Sequence, residues 1–497
     1  MKKKIFLALA VLLFVPGFVL FSQDADPEIS GFEESETGSG SFGFGNEETE
    51  TAGMPSVKIG GEISGSLLFF TEGFGSSEKA MNMEPGDILE AKLNVSAQGK
   101  IADGIINLKI KPDFSNPSSI LSIDEAFLRA YFGPVDLETG LRKVSWGRAD
   151  SFGPLDVINP LDFTDLSDMG NPRNIKIARP MIRASWNINS FSKLEAIFIP
   201  WFKGNEYAME GRWAPSQITG LPEAMNSYFA GYLAYMVGTG QLPPVMIPGI
   251  QNNLAAMMNA YNPNDFFPKT NTLEYAQAGL RFTTNIGPVD LGAQYYFGRL
   301  PRPAYSVDVS NFAASGFSPS AIQILVKNNY YHHIGIDYAQ VIAGFNIRAE
   351  AGANITSDLK GDDGAVYNPH LVWSLGFDRD VIWGININLQ GNGLVRLMHD
   401  KIGNNLFVID TEADRKLTST RITAIVSKKL FRDELELKAT ALWGIEDKDF
   451  LIIPAIVWSK NDITAELSAG IFTGDKAGEL GQYHNNSYIK TVLSWSF

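Results

Sequence analysis

From Val57 to its last residue the chain alternates apolar and polar side chains with a period of two, segment after segment. That is the spacing of a strand whose two faces meet different surroundings. In Glu90 to Gln98, Ala91, Leu93, Val95 and Ala97 share one face, while Glu90, Lys92, Asn94, Ser96 and Gln98 share the other. Phe345, Ile347, Ala349 and Ala351 alternate with Asn346, Arg348, Glu350 and Gly352, and Ile463, Ala465, Leu467 and Ala469 with Thr464, Glu466, Ser468 and Gly470. A soluble antiparallel sandwich has the same period, so alternation alone does not choose between fold classes. The connections separate them. Short links are expected around Ile101-Ala102-Asp103, Gly133-Pro134, Asn189-Ser190, Gly287-Pro288, Val341-Ile342, Asp380-Val381, Arg432-Asp433 and Asn461-Asp462, with mostly longer links between them. Tight turns at one end and long loops at the other are how transmembrane barrels are organised. Counting this way predicts about 18 strands (16–18), each with roughly 9–11 residues in the membrane. The expected fold class is all-β, a transmembrane antiparallel β-barrel with both termini on the periplasmic side.

Two features sit awkwardly in this pattern. Pro180, Pro200 and Pro454 fall inside predicted strands, where each removes a ladder hydrogen bond. Leu451 to Trp458 is apolar on both faces, which leaves its orientation open. Tryptophan placement supports the barrel. Trp146, Trp201 and Trp443 fall near predicted outer strand ends, and Trp186, Trp383, Trp458 and Trp495 near inner ends, as two interfacial belts require. Residues 202–272 break the period-two rule. There Met225, Phe229, Tyr232, Leu233 and Met236 recur at helical spacing, as do Ile250, Leu254, Met257, Met258 and Tyr261. This predicts two short amphipathic helices inserted in one long outer loop. Their apolar stripes are expected to pack the loop on itself or to plug the barrel, ahead of serving as an apolar capture site.

The chain ends and the charge distribution set the compartment. Lys2, Lys3 and Lys4 precede an apolar run from Ile5 to Phe21 interrupted by Pro16-Gly17, so residues 1–22 read as a cleaved secretory signal. No later stretch reaches the roughly 20 apolar residues of a membrane helix. With 45 % hydrophobic residues, the chain needs another way to cover its apolar surface, and a closed barrel provides one. The net charge of −14 is concentrated near the start: Asp24 to Glu50 holds nine acidic residues and no basic one. Residues 23–54, rich in Gly and Ser, read as a disordered periplasmic tail before a barrel over 55–497. The chain has no cysteine, which excludes a lipoprotein anchor, a disulfide framework and thiolate metal sites. No metal, cofactor or nucleic-acid partner is expected. No serine stands in a recognisable nucleophile context beside the five histidines, so the chain is not expected to be an enzyme.

The last eleven residues, Ser487 to Phe497, carry apolar side chains at Ile489, Leu493, Trp495 and Phe497 and end on an aromatic. This resembles the C-terminal signal that the outer-membrane assembly machinery reads in β-barrels. The resemblance implies an outer-membrane location, that machinery and the membrane lipid as partners, and Trp495 and Phe497 as the assembly signal. The segment Trp146-Gly147-Arg148-Ala149-Asp150, followed by Asp156-Val157-Ile158-Asn159-Pro160, resembles a tryptophan-glycine, then aspartate-hydrophobic-hydrophobic-asparagine-proline pattern in a broad family of large diderm outer-membrane barrels. That resemblance covers roughly residues 124–202 and carries no functional residue with it.

In the predicted register Lys92, Lys109, Lys111, Glu125, Arg129, Arg179, Arg183, Arg281, Arg348, Glu350, Arg421, Glu466 and Lys490 point into the lumen. Of these, Lys92, Lys109, Arg129, Arg179, Arg183, Arg281, Arg348, Glu350 and Arg421 are the candidate selectivity residues. The set leans basic, and a charged wall keeps water continuous and biases which ions enter. The alternative is a set of ordinary ion pairs filling a plugged barrel. In the long outer loop over 147–175, Arg148, Asp150, Asp156 and Asp162, with Asp165, Asp168 and Arg173, could form a charged constriction. Asx turns are the favoured role for several of these aspartates over a calcium site, because the spacing matches no EF-hand. The expected function is a porin-like channel for passive passage of small polar or anionic solutes. A transporter of hydrophobic compounds, similar to the fatty-acid transport class, and a surface adhesin on a barrel scaffold stand as alternatives.

Overall fold

The computed structural model describes residues 56–497 apart from 72–81, 85–88, 113–120, 151, 170–171, 220, 260–267, 404–407 and 413–414. The expected signal over 1–22 and tail over 23–54 lie outside the described residues. Eighteen strands form the barrel: β1 Ser56–Phe70, β2 Leu89–Gln98, β3 Ala102–Ile110, β4 Leu121–Phe132, β5 Val135–Arg142, β6 Arg179–Asn189, β7 Ser192–Ile199, β8 Gln277–Ile286 and β9 Val289–Arg299. They continue as β10 Tyr330–Ile342, β11 Phe345–Thr356, β12 His370–Asp380, β13 Ile385–Arg396, β14 Thr418–Leu430, β15 Leu435–Gly444, β16 Asp449–Lys460, β17 Ile463–Gly474 and β18 Tyr488–Ser496. Each pairs antiparallel with its sequence neighbours, and β1 closes on β18 from Glu62 opposite Ser496 to Phe70 opposite Tyr488.

Burial decides between barrel and sandwich. In β12, Leu371, Trp373, Leu375 and Phe377 are exposed while His370, Val372, Ser374 and Gly376 are buried. In β10, Ile334 and Ile336 face outward and His333 and Asp337 inward. A soluble sandwich buries the opposite faces. A large apolar belt outside and a polar wall inside is the pattern of a barrel surrounded by hydrocarbon.

All eight predicted tight turns are present, and they lie at one end. Gly133 and Gly287 adopt φ of +66° and +61° with Pro next in the chain, as a two-residue turn with glycine first requires. The Val341-Ile342 turn sits slightly later, at Ala343-Gly344, because the ladder extends to Ile342 opposite Phe345. Pro180 is tolerated at the second position of β6, and Pro200 falls just past β7. Pro454 stands where the β16–β17 ladder lacks pairs between Ile452–Ile471 and Ala455–Ser468. The orientation of β16 is settled by Leu451 and Ile453 inside and Ile452, Ile456 and Trp458 outside.

At the opposite end, the connection from β7 to β8 carries α1 Leu221–Gly238 and α2 Ile247–Asn259. Phe229, Tyr232, Leu233 and Met236 of α1 and Ile250 and Leu254 of α2 pack together against Val307, Val309, Phe312 and Phe317 from the β9–β10 connection. The side chains of Met225, Met257, Met258 and Tyr261 are not among those described. The described part of the two stripes is thus consumed by packing among the loops.

Candidate functional site

The β5–β6 connection, residues 143–178, folds into the barrel rather than away from it. Its entry is fixed by Asn159, whose Oδ1 accepts from the Val144 N–H at 2.7 Å while its Nδ2 donates to the carbonyls of Arg142 and Ile177. One side chain therefore ties the two legs of the loop together. Trp146 then turns inward and donates through Nε1 to Glu195 at 2.6 Å. This corrects the expectation that Trp146 belongs to the outer aromatic belt: its indole is buried and its polar edge finds an acidic partner on the wall.

The tip is clamped by Glu350 of β11. One carboxylate oxygen accepts the backbone N–H groups of Arg148 and, at 2.8 Å, Ala149, and the other accepts that of Leu155 at 3.3 Å. The glycine in Trp146-Gly147 is required here. Gly147 has φ of +95°, and a Cβ would lie 2.3 Å from Glu350 Oε1. Leu155 drops into a space left by Gly335, where a Cβ would meet its Cδ2 at 2.4 Å.

Charged pairs extend the clamp across several strands. Arg148 donates from Nε to Asp337 at 2.8 Å, and Arg281 reaches the other Asp337 oxygen at 2.8 Å. Asp150 accepts from Arg348 and from Asn388, the latter at 3.0 Å, while Arg348 also binds Asp378 at 2.7 Å. Burial outweighs these partners and holds the Asp150 carboxyl above the usual carboxylate range. Gln294 and Asn392 donate to the carbonyls of Leu155 and Phe152. On the far side Lys490 of β18 pairs with Asp168. Burial pushes the Asp168 carboxyl up, but Lys490 more than compensates and holds it below the usual range.

The four residues proposed for the loop constriction thus have distinct surroundings. Arg148 and Asp150 meet the β10–β13 wall, and Asp156 pairs with Lys176 at 2.6 Å. Asp162 accepts from the N–H and hydroxyl of Thr164, and Asp165 from the Ser167 N–H, both local Asx-type turns. Arg173 contributes no described side chain. Among the described residues no group of three His, Cys, Asp or Glu side chains is placed to hold a metal ion.

The wall cations have acidic partners that the basic cast of the sequence pattern concealed. Lys92, Lys109 and Lys111 surround Glu90 at 3.2–3.4 Å, and Lys92 also meets Glu62. Arg129, Arg142 and Arg183 converge on Glu138, and Arg183 also binds Glu195. Glu125 binds Arg142 and the Lys143 N–H. Arg421 pairs with Glu479 at 2.6 Å. Arg179 alone of the set is held by backbone, donating to the carbonyls of Trp201 and Lys203. Glu138, Glu195 and Asp337 sit at inward positions of the same period-two pattern, so their alternation was the signal available for finding them. Nothing local marks which cation each meets.

No family model matches the chain, nor does any curated protein. Among solved structures, it is similar to OccAB4 of Acinetobacter baumannii, at 8 % identity over 89 % of this chain and 98 % of that one, with a TM-score of 0.47. OccK8 (OprE) of Pseudomonas aeruginosa shares 10 % identity over 89 % and 98 %, also at 0.47. OmpF of Salmonella typhi, in complex with daunomycin, shares 7 % identity over the same fractions at 0.40.

Proposed function

We propose that the protein is an outer-membrane, porin-like channel that passes small polar or anionic solutes by diffusion. The observation that carries this reading is the asymmetry of the lumen. The infolded loop is clamped to the β10–β13 wall, where Asp337 is fully buried. On the opposite wall Lys92, Lys109, Lys111 and Arg129 keep 20–35 % of their side-chain surface open. Cations that hold an acid with one edge and water with another make a wet, polar path, and they slow cations more than anions. In this reading Arg148, Asp150, Arg281, Arg348 and Glu350 position the constriction, whereas Lys92, Lys109 and Arg129 face the solute. The apolar outer belt requires a bilayer, and the aromatic terminus supports delivery by the assembly machinery.

The test is single-channel recording from the full-length protein in planar bilayers. It should conduct, with a modest anion preference that declines as added salt shortens the screening length below about 10 Å. Lys109→Gln and Arg129→Gln should each move the reversal potential toward cations. A silent barrel, or two variants indistinguishable from the parent, would overturn the proposal.

A further inference from the structure

At the long-loop end of β12, β13 and β14, beside the tip of the infolded loop, lies a cavity of about 190 Å³. Four guanidinium groups line it: Arg302 from the β9–β10 connection, Arg396 at the end of β13, Arg415 from the β13–β14 connection and Arg421 of β14. Their acidic partners are unevenly shared. Arg396 is matched by Glu412, buried with it at 2.8 Å. Glu479 serves two arginines at once, Arg421 at 2.6 Å and Arg415 at 3.9 Å. Asp156 is taken by Lys176, Asp447 meets Lys416 at 3.8 Å and is shared with the fields of Arg421 and Arg415, and Asp449 also faces Arg421 without a direct ion pair. Arg302 makes no direct ion pair among the described residues, although its charge acts on Glu412, and its guanidinium lies over the Tyr367 ring at 4.1 Å.

Arg421 shows the imbalance at the level of atoms. It is 92 % buried, being 8 % exposed, and although Nη2 donates to Glu479, neither Nε nor Nη1 has a hydrogen-bond partner. Buried donors left unmade are costly, and charged ones more so. The local field agrees. Burial, then the positive charges of Arg396 and Arg302, hold the Arg415 guanidinium down to about 10, despite Glu479.

We propose that this chamber is a binding site for a small oxyanion, a carboxylate or phosphate group, held by Arg421 and Arg302. A planar guanidinium offers paired N–H donors at the spacing of two oxyanion oxygens, and such charge-assisted pairs are among the stronger hydrogen bonds. The volume admits a compact solute of a few heavy atoms beyond the oxyanion itself. In the channel reading the chamber is a solute's first station, but the binding is separable from conduction.

Isothermal titration of the folded, detergent-solubilised full-length protein with inorganic phosphate and, separately, with succinate tests the site. One saturable binding event is expected for at least one probe, weakened tenfold or more by Arg421→Gln and by Arg302→Gln, with Arg421→Lys intermediate. Phosphate alone would assign the site to phosphates, and succinate alone to carboxylates. No saturable binding with either probe overturns the proposal, as does an affinity unchanged within twofold in both Gln variants. Heat-modifiable mobility on gels checks that each variant is folded, and Arg302, on a connection outside the barrel wall, provides a second variant should Arg421→Gln not assemble. Binding without conductance would leave the site and overturn the channel, and conductance without binding would do the reverse.

Discussion

Glu350 does with one carboxylate what a longer loop would need several side chains to do. Its two oxygens satisfy three backbone N–H groups at the tip of a segment about two hundred residues earlier in the chain. Glu350→Gln keeps the shape but turns one end of the group into a donor, which must then face an N–H. The clamp should weaken by about 1–3 kcal/mol, the usual cost of a buried donor left unpaired. Larger and noisier single-channel currents, with faster proteolysis of residues 143–178, are the expected outcome. Currents and cleavage identical to the parent would show that the loop is held elsewhere. Asp410, in the β13–β14 connection outside the membrane-spanning strands, is a second single-residue determinant. Burial pushes its carboxyl up to about 6, although the N–H groups of Gly403 and Glu412 bind it at 3.0 and 2.8 Å. Its ordinary value is 3.8, so the folded loop holds the proton more tightly than the unfolded one. The contribution of the protonated form is therefore fully present below about pH 4 and is lost as pH rises through about 6. Amide exchange at Gly403 and Glu412, whose N–H groups Asp410 binds, should accelerate across that window after correction for intrinsic rates, and Asp410→Asn should flatten the response.

At the scale of elements, the β7–β8 connection enters the barrel mouth through Trp213. Its indole packs among Phe70, Phe472, Tyr483 and Tyr488 at centroid separations of 5.7–6.3 Å. Hydrogen bonds from Asn486 to the Arg212 carbonyl and from the Ser216 N–H to Gln482 latch the same segment to the β17–β18 connection. Trp213→Ala should cost about 3–5 kcal/mol, as for other large aromatic truncations in a packed cluster. If the anchor is local, the loss should appear as release of residues 200–276 to protease while the barrel still resists urea. Global unfolding at the same urea concentration as loop release would show that Trp213 supports the wall itself. The contrast between strands and loops explains what the sequence made legible. Strand faces follow from period two, and turns from Gly133-Pro134, Gly287-Pro288 or Asn461-Asp462, because both are set within a few residues. Trp146 obeys neither rule. It lies beyond the last residue of β5, where alternation carries no information, and its partner Glu195 is 49 residues away. Asp150 could be read as charged and loop-borne, but not as the partner of Arg348 and Asn388, since that pairing depends on the direction of the whole loop.

For the molecule as a whole, the aromatic terminus has a structural place as well as a proposed role in assembly. Phe497 exchanges two backbone hydrogen bonds of 2.9 Å with Gly61, and its ring covers the spot where a Gly61 Cβ would sit, 2.7 Å away. Deleting Phe497 should therefore lower the yield of heat-modifiable barrel in the outer membrane. The same truncation refolded in detergent without the assembly machinery should lose much less. An equal loss in both settings would make Phe497 a stability residue rather than a signal. The β1–β18 seam also sets a timetable for folding. Every other pair of barrel neighbours is adjacent in the chain, so each can pair as it emerges, and the eight tight turns do so at little loop-closure cost. The seam joins Thr71 to Ser487 across 416 residues, and closing a loop of that length costs about 5 kcal/mol of chain entropy. Until it forms, β1 and β18 are two bare sheet edges, each able to pair with the wrong chain. A chain rejoined from Phe497 to Ser56 through a short linker, long enough to span the Ser56 to Gly60 segment, and opened at another tight turn would keep every pairing in the barrel yet move that vulnerable interval to a different pair of strands.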